Sequence, residues 1–170
     1  MIQKHCFECG TALIEKELEE EGIVPYCPKC QQYRFPMYNV AVSMIVVDEE
    51  TGKILLIQQY GKPSYILMAG YVNRGEAEEH AVVREVREET GLEVTRTEFL
   101  FSLPNTYLYS GFLVHTVDCF FRCTVADSSL AHAMDDAAEL LWIPVKELRP
   151  EDFGLASVRK GIEKLLAQWP

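Results

Sequence analysis

The chain has 170 residues, 48% of them hydrophobic, enough to bury a full core and suited to one principal domain with a small appendage. Its formal charge of −10 argues against a general nucleic-acid surface, which needs clustered Lys and Arg, and implies that an anionic substrate meets the protein through a cation. No apolar run reaches the ~18 residues of a membrane span and Met1 leads almost at once to Cys6 without a signal peptide, so the expected compartment is the cytoplasm.

The first element is a pair of knuckles, Cys6-Phe7-Glu8-Cys9 and Cys27-Pro28-Lys29-Cys30, seventeen residues apart. Each Cys-x2-Cys turn sets two thiolates on one side of a tetrahedral ion, and two turns close the shell, which is the pattern of a structural Zn²⁺. Redox pairs or disulfides fit a reducing cytoplasm less well. Residues 1–35 are too few to fold around a core of their own, so metal would supply most of their folding free energy. Between the knuckles, "LIEKELEEEGIVPY" predicts short strands around a turn at Gly22. Up to Tyr38 six Glu outnumber Lys4, Lys16, Lys29 and Arg34, which speaks against a nucleic-acid-binding ribbon. Gln31–Asn39, with Pro36, reads as a linker, giving a ribbon over residues 1–35 and a main domain over 36–170.

In the main domain, Val40–Asp48 is a buried strand, "EETG" a turn and Lys53–Tyr60 its hairpin partner, followed by a strand over Ser64–Val72. Ala81, Val82, Val86 and Thr90 recur at helical spacing between Ala77 and Thr90; Gly91 stops the helix, with Leu92 placed for a closing apolar contact. Strands follow near Val94–Phe101, Phe112–Val125 and Glu139–Ile143. A last helix, Ser157–Gln168, turns Val158, Ile162, Leu165 and Leu166 inward. Cys119, Phe121 and Cys123 share strand parity and are expected to pack inward. Strands outnumber helices without regular alternation, so the expected class is α+β with a mixed sheet.

The helix crowds Glu85, Glu88 and Glu89 onto one arc, because at about 100° per residue they fall within roughly 100° of one another. Like charges at i and i+4 oppose a helix by about 0.2–0.5 kcal/mol per pair, a repulsion that a bound divalent ion turns into attraction. Hard carboxylate oxygens suit Mg²⁺ or Mn²⁺ that keeps several waters. Arg84, four before Glu88, offers a blander explanation as a solvated ion pair. The residues upstream outweigh it. From Gly70 the chain reads "GYVNRGEAEEHAVVREVREETGL": Gly70, five residues, Glu76, seven residues, Arg84-Glu85, Val86, Glu88-Glu89, Gly91 and Leu92.

This stretch resembles the Nudix box, the signature of hydrolases acting on nucleoside diphosphates linked to another moiety, and fills every defining position. The resemblance implies the Nudix fold, a mixed sheet sandwiched by helices. It implies Glu85, Glu88 and Glu89 as the Mg²⁺- or Mn²⁺-binding set, with Glu76 and Arg84 bracing the loop. Gly70 and Gly75 would let the backbone turn before the helix, and Ala69 or Gly70 could offer a carbonyl oxygen to the metal. The proton acceptor for an attacking water is either Glu88 or an acid of "MDDAAELLW", with Asp136 counted in the catalytic set beside Asp135 and Glu139 as neighbours.

A ribbon ahead of a Nudix domain is similar to the NADH pyrophosphatase branch and to zinc-ribbon relatives acting on ADP-ribose or FAD. That branch carries Ser-Gln-Pro-Trp-Pro-Phe-Pro-x-Ser after the box. Here "SLPNTYLYS" keeps Ser102, Pro104, an aromatic at Tyr107 and Ser110, and lacks the Gln, the Trp and two prolines. Ser102, Tyr107 and Tyr109 are the candidate substrate contacts. NADH, ADP-ribose and FAD all stay open as substrates, and a homodimer is expected from the resemblance alone. The competing reading is a non-catalytic nucleotide sensor or protein-interaction protein on the same scaffold.

Overall fold

The structure, a computed structural model, describes residues 3–59, 64–134 and 137–169. The chain divides into two compact units, Met1–Tyr38 and Asn39–Pro170.

In the first unit β1 (Ile14–Leu18), β2 (Gly22–Cys27) and β3 (Gln32–Tyr33) form an antiparallel sheet in that order. The segment read as a linker from Gln31 therefore begins with a strand. Four of the five residues of β1 are exposed. Cys6, Leu13 and Cys27 are the buried cluster, with Cys9 and Cys30 packed against it. Thiols stand where a larger domain would place aliphatic side chains.

The second unit contains β4 (Asn39–Asp48), β5 (Lys53–Gln59), β6 (Tyr65–Ile66), β7 (Met68–Tyr71), β8 (Val94–Tyr109), β9 (Phe112–Val125) and β10 (Ala137–Pro144). Its helices are α1 (Glu78–Thr90) and α2 (Ala156–Gln168). The strand order is β10-β5-β4-β9-β8, with β6 on β5 and β7 on β4. β4 and β9 run parallel from Asn39↔Thr116 to Val47↔Thr124, and the other pairs are antiparallel. The sheet is mixed, as expected of the α+β class.

Period-two alternation sends side chains to two cores. Val42, Met44, Val46, Cys119, Phe121 and Cys123 pack under α1 with its Ala81, Val82 and Val86. Ile45, Val47, Ile54, Leu56 and Phe120 pack under α2 with its Val158, Ile162 and Leu165. The inward parity of Cys119, Phe121 and Cys123 is thereby observed. The α1 helix ends as its sequence requires: Gly91 sits in the left-handed region at φ 70° and donates its N–H to Arg87 O at 2.9 Å, and Leu92 is buried.

Three more segments differ from their sequence reading. The single strand expected over Ser64–Val72 is two, β6 pairing with β5 and β7 with β4. β4 and β5 join as a hairpin over only two residue pairs, Val47↔Ile54 and Asp48↔Lys53, after which β5 pairs with β10 and β6. β8 does not stop at Phe101; it runs to Tyr109 and returns as β9 through Ser110-Gly111, both at positive φ (47° and 84°), the geometry of a two-residue hairpin turn. Pro104 is tolerated because β8 is an edge strand. Among the described residues no helix is long and apolar enough to cross a bilayer.

Candidate active site

The loop from β7 to α1 and the helix itself are locked by one side chain. Arg84 donates from Nε to Glu76 Oε1 (2.8 Å) and from Nη2 to Glu76 Oε2 (2.9 Å), a two-pronged match of guanidinium to carboxylate. The same guanidinium reaches Tyr71 O (3.0 Å), Glu85 Oε1 (2.6 Å) and Glu88 Oε2 (3.2 Å). Glu76 also accepts the Asn73 N–H at 2.9 Å. The Arg84 fork, helped by that N–H, holds the Glu76 carboxyl down at about 2, and the surrounding carboxylates raise the Arg84 guanidinium above its ordinary value. Arg84 thus ties strand, loop and helix together and separates Glu85 from Glu88.

Gly70 has a different part from the one expected. It lies within β7 rather than at a turn, opposite Val42, and a Cβ built on it would overlap the Glu85 carboxylate. Only glycine lets that carboxylate lie against the strand. The tight turn falls to Gly75, at φ 82°. Glu88 is the outermost of the three helix carboxylates, with a side chain 58% exposed, whereas that of Glu85 is 15% exposed and Oε2 of Glu89 is fully buried.

Gly70 and Glu89 line a cavity of about 200 Å³ whose other walls include Ala69, Tyr71 and Tyr107. A space for an organic group therefore borders the carboxylates. Of the three candidate substrate contacts, Tyr107 reaches this space, its hydroxyl bonded to that of Tyr71, and burial pushes its phenol up to about 12. Ser102 pairs with Cys119 and so faces the other side of β8. Tyr109 lies 62% exposed near the hairpin tip, edge-on to Phe112 at 6.3 Å. Asp135 and Asp136 lie outside the described residues. Sequence reasoning missed Asp118, Asn105 and Thr116, which also line the cavity.

In the first unit the sulfurs of Cys6, Cys9, Cys27 and Cys30 all lie within 4.8 Å of one another, the one such cluster of metal-ligating atoms among the described residues. Cys6 and Cys30 are 4.0 Å apart and Cys9 and Cys27 3.5 Å, close to the ~3.8 Å edge of a tetrahedron with 2.3 Å Zn–S bonds. All are free thiols. Arg34 Nε donates to Cys6 Sγ at 3.2 Å and holds that thiol down at about 6; hydrogen bonding with Cys9 and Cys27, then burial, pushes Cys30 up to about 12. Four adjacent thiols resist ionising together, and a dication removes that penalty. The donor set fits Zn²⁺.

The NUDIX domain family model matches residues 37–166. Over 167 residues the chain is 28% identical to the NAD-capped RNA hydrolase NudC of Pseudomonas aeruginosa, covering 97% of this chain and 56% of that protein. It is 33% identical over 104 residues to the protein of the same name from Photobacterium profundum, covering 60% and 37%. The chain spans about half the length of the curated relatives it matches. Among solved structures, a NUDIX hydrolase from Nitrosomonas europaea aligns with a TM-score of 0.66 at 20% identity, over 98% of this chain and 92% of that one. A MutT NUDIX hydrolase from Burkholderia pseudomallei aligns at 0.61 and 21%, over 79% and 100%. A domain match over most of the chain, with the full box placed between strand and helix, establishes that the chain belongs to the Nudix hydrolase family.

Proposed function

We propose that this chain is a Mg²⁺- or Mn²⁺-dependent pyrophosphohydrolase that splits the diphosphate of a dinucleotide or nucleoside diphosphate derivative, of the NADH/NAD, ADP-ribose or FAD class, into two monophosphates. The family supplies the reaction class. One observation carries the site: the Glu85 carboxylate rests against Gly70, and Gly70 and Glu89 line a cavity able to take an organic group. Glu85, Glu88 and Glu89, with the Ala69 carbonyl, would hold the cation. When bound, it would neutralise the diphosphate oxygens and acidify a water.

The chain's own residues do the rest. Arg84 keeps Glu85 in place and spaces it from Glu88, so that the carboxylates are ordered before any ion arrives. Glu88, the most exposed of the three, is the best placed to take the proton of a water, with Asp136 as the competing base. The NudC relatives are named for NAD-capped RNA. The charge of −10 favours a free dinucleotide here. The four-thiol unit is assigned one structural Zn²⁺, which suits a reducing cytoplasm, and homodimerisation is carried over from the family resemblance.

The test is incubation of the purified chain with NADH, ADP-ribose, FAD and nucleoside triphosphates, with and without Mn²⁺. Metal-dependent release of monophosphates from at least one of the first three is expected. No turnover of any diphosphate overturns the enzyme assignment and favours a nucleotide sensor. Elemental analysis should find one zinc per chain; a zinc-free chain with unchanged thermal unfolding refutes the structural ion.

A further inference from the structure

Asp118 has no part in the proposed metal set, yet it is a carboxylate only 5% exposed on the wall of the cavity beside it. Its Oδ1 accepts the Thr116 hydroxyl at 2.5 Å and its Oδ2 the Ser157 hydroxyl at 2.7 Å. Among the described residues no Lys, Arg or His comes within 4.0 Å of it as an ion-pair partner. A buried charge with only hydroxyl partners is costly, and an apolar side chain would pack β9 against α2 with less penalty. Ser157 lies in the first turn of α2, so this contact ties β9 to the start of the helix.

Each Asp118 oxygen keeps a second lone pair, so the residue can still accept a hydrogen bond from a ligand. Asn105, buried on the same cavity, accepts the Thr106 N–H at 2.9 Å through its oxygen, which leaves its NH2 to donate. Tyr71 and Tyr107, joined through their hydroxyls, add an aromatic wall. A volume of about 200 Å³ lies below the ~300–1,000 Å³ of pockets that take a whole drug-sized ligand, so the cavity takes one ring system.

We propose that Asp118 and Asn105 read the amino-bearing edge of the substrate's ring, Asp118 accepting from its NH2 and Asn105 donating to the acceptor beside it. This rests on the pyrophosphohydrolase assignment and adds the selectivity of the same site. Two halves of a dinucleotide carry that edge: adenine, with its exocyclic amine next to ring nitrogens, and nicotinamide, with its carboxamide.

The experiment compares kcat/KM for NAD, nicotinamide hypoxanthine dinucleotide (amine replaced by carbonyl) and nicotinic acid adenine dinucleotide (carboxamide replaced by carboxylate). The wild-type chain should disfavour one analogue by roughly 10- to 100-fold, as expected for loss of a hydrogen bond to a charged group. Which analogue it disfavours identifies the half that is read. Asp118→Asn should erase the preference, the loss falling on the substrates that carry the edge being read. Ser157→Ala, which keeps the carboxylate, should retain the preference. Equal turnover of all three by wild type, or an equal fall on all three in Asp118→Asn, overturns the proposal. If Asp118→Asn does not fold, Asn105→Ala decides: a lost preference supports the reading and an unchanged one refutes it. If none of the three is turned over, the ADP-ribose and FAD assays decide whether the enzyme assignment has failed. Calorimetric binding of adenosine against inosine monophosphate, and of nicotinamide against nicotinic acid mononucleotide, then reads Asp118 directly. Unequal affinities within a pair support the proposal, and equal affinities in both refute it.

Discussion

α1 and α2 are each thirteen residues long and pack against cores on opposite faces of one sheet, yet they are held by different forces. α2 buries Ser157, Val158, Gly161, Ile162 and Leu165, and a Cβ at Gly161 would overlap the Phe120 ring. α1 buries Ala81, Val82, Val86 and Thr90, and its charged side carries carboxylates at Glu85, Glu88 and Glu89. The close glycine contact of α1 is with Gly70 of β7, and what it admits is the Glu85 carboxylate. One helix uses a glycine to bring an apolar ring to the backbone, the other to bring a negative charge. Such a departure from local preference, braced by a single guanidinium, is what a functional site looks like.

The sharpest way to break this contrast is to truncate one helix's apolar face and the other's charge. Ile162→Ala should cost about 2–5 kcal/mol of stability through the lost side chain and the cavity left behind, measured by urea unfolding, while turnover per folded molecule is unchanged. Glu89→Gln should do the reverse. Metal-dependent turnover is expected to fall about 10²–10³-fold, and stability to stay level or rise slightly, because a like-charge i, i+4 pair with Glu85 worth about 0.2–0.5 kcal/mol disappears. A Glu89→Gln chain with full turnover would remove that residue from the metal set. One that unfolds would show that the Glu89 carboxylate serves the fold rather than a cation.

Arg84→Lys is a smaller perturbation. It keeps the charge and removes the fork that grips Glu76 while touching Glu85 and Glu88. Turnover should fall about 10–100-fold, the usual cost of losing a group that orients metal ligands, with the metal concentration for half-maximal rate raised. Unchanged metal dependence would mean that Arg84 only closes the loop.

The two helices also differ in how much of their surroundings the sequence declares. The bracing role of Glu76 and Arg84 is implied by the resemblance of the 23 residues from Gly70 to Leu92 to the Nudix box, and α1 and its αL stop at Gly91 are readable because local spacing fixes their geometry. The same holds for the two cysteine knuckles. The cavity is not readable, because Asp118 meets Ser157 across 39 positions and shares the space with Ala41 and Ser43 through a parallel pairing that no local pattern reports. β8 is cut short at Phe101 in the sequence because Pro104 and Asn105 suppress a strand signal that an edge position tolerates. Tyr107 and Tyr109 look equivalent by parity; only the position of the turn puts one on the cavity and the other near the tip.

The mildest difference between the helices is titratable. Glu76 has its carboxyl held at about 2 by the Arg84 fork and the Asn73 N–H, against an ordinary value of 4.5. A carboxyl depressed in the folded state stabilises fully above its ordinary value and loses that contribution as pH falls through the folded value. The brace on α1 should therefore stabilise the chain at neutral pH and fade between about pH 5 and pH 2. Ile162 of α2 packs in an apolar cluster, so the Ile162→Ala deficit should be flat over the same range. Thermal unfolding of wild type and Glu76→Gln across that window checks this. The gap in melting temperature is expected to be open at pH 7 and to narrow steadily below pH 5, whereas a gap that stays constant down to pH 2 would mean that Glu76 braces the loop through its shape rather than its charge.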